Sequence, residues 1–226
     1  MTTDAMTMEA PAARETVTVF ETEEALRNVL GYPMELAVLK ALPALDKYCK
    51  AFIERSPFLS LGTADARGRT DVSPRGDQPG FVLILDDNHL FIPERPGNAR
   101  CDSMLNILSN PQIGLLFFVP GYEDMLRVNG RARIIQEPGL IERCTVKGKA
   151  PKVGIEVTVE EAYLHCAKAL KRSKLWDPST QRDRKELPTL GKMILEQSAE
   201  AGQGPTEEVV HTVDELIEEN YRTTLY

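Results

Sequence analysis

Two short segments hold the residue types best suited to chemistry. The first is Thr70-Asp71-Val72-Ser73-Pro74-Arg75-Gly76-Asp77, where a hydroxyl and a guanidinium stand at the end of an alternating run. A guanidinium meets phosphate oxygens as a fork and a serine hydroxyl adds a donor, so Ser73 and Arg75 suit an anion of the phosphate type. Ser, Pro, Arg and Gly are also ordinary loop residues, and a plain turn accounts for them equally well. The second segment, Pro93-Glu94-Arg95-Pro96-Gly97-Asn98-Ala99-Arg100, lies between an apolar run and a helical pattern. Free N–H groups at a helix N-terminus attract anions, and this one is bracketed by Arg95, Asn98 and Arg100. Asp102 and Ser103 equally fit simple capping of that helix. Both loops on one phosphate would make a strong site.

Other residues carry weaker signals. Arg127, Asn129, Arg131 and Arg133 alternate with Leu126, Val128, Ala132 and Ile134. Such a row is usually solvated, but in a chain of net charge −7 it also suits an acidic partner or a second subunit. Further on, His165, Lys168 and Arg172 stand at i, i+3 and i+7, along one face of a predicted helix. His165 suits proton transfer near neutral pH, although a structural histidine is the commoner case. His165 and Cys166 are adjacent, project differently and make a poor metal pair, so no metal site is expected. There is no GxGxxG fingerprint, Walker loop or Ser-His-Asp arrangement. The four cysteines, Cys49, Cys101, Cys144 and Cys166, form no CxxC pair and are expected to be reduced, small, buried apolar residues.

Periodicity supplies the elements that position these groups. Short helices are expected over 22–30, 33–39 and 45–55, broken by Gly31 and started by Pro33. Strands follow at 58–64 and 70–73 around the turn Asp65-Ala66-Arg67-Gly68, and at 81–85 and 90–92 around Asp86-Asp87-Asn88. A helix over 101–109 stops before Asn110-Pro111, and strands occupy 113–119, 125–135 and 153–159. Residues 160–172 read as a helix, 190–197 as another, and 201–205 as a linker before an amphipathic segment through Leu216, Ile217 and Tyr221.

Composition is that of a packed globular protein, with 42% hydrophobic and 27% charged residues in a chain of 226. The net negative charge argues against nucleic acid as the main partner. No stretch approaches the ~18 apolar residues that span a bilayer, and the start has no signal-peptide pattern, so a cytoplasmic protein without membrane attachment is expected.

The ordered succession DVSPRGD, DDNHLFIPERPGNARCDSMLNIL, NPQIGLLFFVPG and LRVNGRARI resembles the pyridoxamine 5′-phosphate oxidase-like flavoproteins, specifically an FMN-dependent subgroup with an extended C-terminal region, over about residues 45–190. The resemblance implies a mainly β fold with flanking helices (α+β), a six-stranded antiparallel split β-barrel. It implies a homodimer with FMN at the subunit interface. The implied phosphate residues are Ser73 and Arg75 with Arg95, Asn98 and Arg100; Val72, Ser73, Ile92 and Pro93 become backbone neighbours of the ring, and Arg127 reaches across from the partner. Trp176, with Arg182 or Arg184, corresponds to a C-terminal Trp and Arg that line the flavin in the vitamin-forming oxidases. The local motif differs, and the substrate-phosphate residues of those oxidases are not recognisable, so pyridoxamine 5′-phosphate oxidation is not expected. The domain plan is a mobile terminus over 1–15, a flavin-binding split-barrel domain over 16–200 and a linker with an amphipathic segment over 201–226. The expected activity is an FMN-dependent oxidoreductase that transfers two electrons at the flavin, with a reduced nicotinamide, NAD(P)H, or a small organic molecule as substrate. His165, Lys168 and Trp176 are the catalytic candidates. The alternatives are a non-catalytic flavin carrier or redox sensor, the same barrel with haem or a deazaflavin, or a barrel that binds nothing.

Overall fold

The structure, a computed structural model, describes residues 17–200 and 203–226. The segment 1–15, expected to be a mobile terminus, lies outside them, as do two residues of the expected linker. The chain groups into two compact units, Met1–Leu39 and Lys40–Tyr226.

The first unit holds α1 (Glu23–Leu30) and α2 (Glu35–Leu39), as the periodicity predicts. Thr22 caps α1 by accepting from the Ala25 N–H at 3.2 Å, and neither helix buries a residue. The second unit begins with α3 (Lys47–Arg55), capped by Asp46, and continues through β1 (Phe58–Ala64), β2 (Thr70–Gly76), β3 (Leu83–Ile84), β4 (His89–Pro93), α4 (Asp102–Ser109), β5 (Gln112–Phe118) and β6 (Met125–Ile135). After these come α5 (Pro138–Arg143), β7 (Gly154–His165), α6 (Lys168–Ser173), two short 3-10 turns, α7 (Leu190–Ser198) and α8 (Glu207–Thr224). Among the described residues, no helix is long and apolar enough to cross a membrane.

All the strands join one antiparallel sheet in the order β2-β1-β5-β6-β7-β4-β3. Leu59 and Leu61 near one end of that order share a single core cluster with Leu90 and Ile92 near the other. The sheet therefore curls around its inner face, while β2 and β3 remain unpaired with each other. This is the expected split barrel, with seven strands where six were expected, because the short β3 pairs with β4 through only Leu83 and Ile84. The inner face buries Leu59, Leu61, Leu115, Phe117, Leu126, Val128, Ile155 and Val157, each contributing about 1.5–3 kcal/mol.

Three expectations need correction. The strand expected over 70–73 runs on to Gly76, so Pro74 and Arg75 belong to it; β2 is an edge strand, where a proline costs no central ladder bond. The helix expected over 160–172 is mostly strand. β7 continues to His165, pairing residue by residue with β6 up to Met125, and only Lys168–Ser173 is helical. The misreading has a structural cause. The register shifts between Asn129 and Gly130, so Gly130 faces Val159 while Asn129 faces Glu161, and Glu160 is the extra residue of a bulge. Val159 and Ala162 are consequently both buried, three apart, which mimics helical spacing. A side chain at position 130 would run into the Thr158 carbonyl, so the bulge requires a glycine there. Finally, Cys101 is not helical: it stands before α4 at φ 57°, and it and Cys166 are exposed rather than buried. Cys49 and Cys144 are buried, and burial followed by the Asp46 carboxylate pushes the Cys49 thiol up to about 11.

Candidate functional site

Pairing fixes which way β2 faces. Leu59, Leu61 and Thr63 of β1 point into the core and lie opposite Arg75, Ser73 and Asp71. These three polar residues, with Asp77 just beyond the strand, therefore extend the inner face, while Val72 and Pro74 point outward and are exposed. The apolar core ends at β1, and a polar strip takes its place at the edge.

That strip is covered by the Pro93–Arg100 segment and by α4, so the structure brings together the two segments that the sequence singles out. Arg75 Nη1 donates to Glu94, and Arg95 Nε donates to Asp77 at 2.7 Å. The Ser103 hydroxyl donates to Asp71 at 2.7 Å, and Asn106 Nδ2 donates to Thr63 at 3.1 Å, seating α4 on β1 and β2. Ion pairs thus span the split in the barrel where backbone pairing stops.

Three donors at this place have no strong partner. Arg75 Nε is buried without a hydrogen bond, on a side chain only 14% exposed. The Ser73 hydroxyl has only a 3.5 Å contact with the Pro74 carbonyl. The first turn of α4, like that of the short α6, has no side-chain cap, whereas α1, α3, α5, α7 and α8 are capped. The approach to α4 is also strained, since Ala99 and Cys101 lie at φ 58° and 57° on either side of Arg100. Such conformations cost about 1–3 kcal/mol each and concentrate at functional sites. Together these donors fit a phosphate group.

The remaining candidates are placed as follows. Asn98 accepts from the Arg100 N–H at 3.1 Å, and Arg100 pairs with Asp102 at 2.7 Å on the surface. Ile92 and Pro93 are buried, and β3 ends opposite Phe91, which leaves the backbone edge of β4 open from Ile92 onward. Arg127 lies on the opposite face of the sheet, three strands from β2, so one chain does not bring it to Arg75. There it donates to the Tyr163 hydroxyl at 2.9 Å.

His165 ends β7, so His165, Lys168 and Arg172 share no helix face, which corrects the sequence expectation. Its ring lies 5.1 Å from that of Tyr163, its Nε2 is buried without a partner, and burial, then Arg127 and Lys40, hold its pKa below the ordinary value. Lys40 completes the group, donating to the Leu164 carbonyl at 2.8 Å. Lys168 is exposed on α6. Trp176 donates its Nε1–H to the Tyr122 carbonyl at 2.8 Å, which ties it to the β5–β6 turn, while Arg182 pairs with Glu186 and Arg184 binds the Leu187 and Pro188 carbonyls on the surface.

Sequence reasoning did not single out Glu94, Asp77, Lys40, Tyr163 or Tyr226. The first two stood inside the quoted motifs and carried a signal, as acids beside each candidate arginine. Lys40 and Tyr226 join the sites only through long-range contacts and carried none.

The sequence model described as pyridoxamine 5′-phosphate oxidase matches residues 45–166, a little over half of the chain. Among curated proteins none matches. Among solved structures, HupZ of Group A Streptococcus is similar at 20% identity and TM-score 0.43, covering 52% of this chain and 91% of that one. A putative pyridoxamine 5′-phosphate oxidase of Lactobacillus delbrueckii is 22% identical at TM-score 0.41, covering 54% of this chain and 95% of that one. An FMN-binding protein of Syntrophomonas wolfei is 11% identical at TM-score 0.41, covering 63% and 96%.

Proposed function

The chain belongs to the pyridoxamine 5′-phosphate oxidase family, and from that premise we propose that it is an FMN-dependent oxidoreductase acting on a small organic molecule, working as a homodimer with the cofactor between subunits. One observation carries the reading: the buried, unpartnered Arg75 Nε, beside the uncapped start of α4, offers donors for one phosphate at the split of the barrel. Arg75 and Ser73 bind the phosphate with the α4 N–H groups, and Glu94 fixes the Arg75 fork without using its Nε. The open edges of β2 and β4 supply main-chain neighbours for the ring at Val72, Ser73, Ile92 and Pro93. FMN held there would supply two-electron chemistry, with these residues supplying position and electrostatics. Arg127 and His165, on the outer face, serve the substrate side across the interface. Lys168 and Trp176 have no geometric support for a catalytic role: one is exposed and the other has committed its N–H.

A flavin carrier or redox sensor is the second reading. It is favoured by the inner-face cradle, which among the described residues holds no histidine and pairs Arg75 and Arg95 with acids, an arrangement suited to retention. Purification tests both, since a protein with no flavin spectrum and no uptake of added FMN sinks them together. Anaerobic mixing of the flavin-loaded protein with NADH or NADPH then separates them. Rapid bleaching supports the oxidoreductase, and a flavin that stays oxidised with either nicotinamide and with candidate substrates supports the carrier.

A further inference from the structure

Asp77 sits one residue past β2, with its side chain only 2% exposed, and a buried carboxylate needs its oxygens satisfied. Oδ2 accepts from Arg95 Nε at 2.7 Å. Oδ1 accepts from the Gln78 N–H at 2.7 Å and from the Tyr226 hydroxyl at 2.8 Å. Tyr226 follows α8 and lies 149 positions further along the chain. Its ring is 5.6 Å from the Arg95 guanidinium and 5.4 Å from Lys147 Nζ, and its main-chain oxygen accepts from Lys149 Nζ at 2.7 Å. Arg95 uses its remaining reach on the Cys144 carbonyl at 2.8 Å. Burial pushes Asp77 up, but Tyr226, the Gln78 N–H and Arg95 outweigh it and hold the carboxyl below the usual range.

Arg95 is thereby held through its Nε, its Nη1 and the face of its guanidinium. Its neighbour Glu94 is the residue that holds Arg75, and the same segment leads through the strained residues 99–101 into α4. We propose that Tyr226 is a positioning residue for the phosphate end of the cradle: by completing the shell of Asp77 it fixes Arg95, and through Arg95 it sets the 93–100 segment so that Arg75 and the start of α4 face one anion. The helix that precedes Tyr226, α8, has attachments of its own. It is fastened to α7 by Asp214, which accepts from the Gly191 N–H at 3.1 Å, and by Lys192 with Glu207 at 3.1 Å, and it buries Val210.

The inference rests on the flavin reading, and its test separates the two. Tyr226→Phe keeps the ring over Arg95 and removes only the hydroxyl. Full-length wild type and variant are titrated with FMN and with riboflavin, which lacks the phosphate, and their thermal midpoints are compared. The expected result is about tenfold weaker FMN binding, unchanged riboflavin binding and, because a buried carboxylate loses one donor, a thermal midpoint lower by about 2–4 °C. Equal FMN affinity in both proteins overturns the role of Tyr226 alone, and so does an equal loss for FMN and riboflavin, which marks a general structural bond. A wild type that binds neither flavin overturns the cofactor reading, and this inference with it. Asp77→Asn provides a second variant, expected to weaken FMN more than riboflavin through the same shell.

Discussion

The inner face of β2 and the Arg127–His165 end of the outer face of β6 and β7 treat their cations in opposite ways, although further along that outer face Arg133 pairs with Glu156. In the cradle Arg75 meets Glu94 and Arg95 meets Asp77, each pair largely withdrawn from water. On the outer face Arg127 meets a phenol, Lys40 meets a carbonyl, and, among the described residues, neither forms an ion pair. Paired charges fix geometry while cancelling most of each other's field, whereas unpaired ones keep their potential. The cradle is thus built to hold a shape around a ligand, and the outer cluster to draw an opposite charge toward His165.

The comparison can be broken most directly at Arg75. Arg75→Ala removes the unpartnered donor and strands Glu94, and FMN binding should weaken by about 2–5 kcal/mol in a fluorescence titration; wild-type affinity would leave the cradle without its ligand. Gly130→Ala attacks the other region through its bulge. The added methyl meets the Thr158 carbonyl, and the unfolding free energy from urea titration should fall by about 1–3 kcal/mol. Arg127→Gln probes the unpaired field: removing one of the two cations that depress His165 should raise its NMR titration midpoint, whereas Arg75→Gln should leave it in place. The smallest effect is one of pH. His165 is held below 6.5, so above that value it is neutral whether folded or unfolded. As pH falls below 6.5 the unfolded chain takes up the proton first, and stability should decline in that window; in His165→Gln the decline should be absent from the denaturation midpoints.

The two regions were unequally legible in the sequence. Alternation and turn chemistry identified the hairpins, and the SPRGD and PERPGNAR segments announced the cradle because its arginines, serine and loop residues are local. Their acidic partners lay in the same motifs, but only folding shows that Arg75 turns to Glu94 and Arg95 to Asp77 rather than both to a ligand. The outer cluster was hidden by one residue. The extra Glu160 breaks the period of two, so the strand beyond it looked helical and His165 was grouped with Lys168 instead of Tyr163. Tyr226 was out of reach altogether, since no local pattern reports a bond across 149 positions.

β2 is an outermost strand, and its free side is a row of main-chain groups that any passing extended chain could use as a template. A pocket built on such an edge must stay open to its small ligand yet closed to polypeptide. Pro74, in the middle of β2, has no N–H to offer, so an incoming strand finds one main-chain donor fewer there. The DVSPRGD segment that forms the candidate site is therefore, through Pro74, also a poorer template for a second chain than an unbroken edge strand would be.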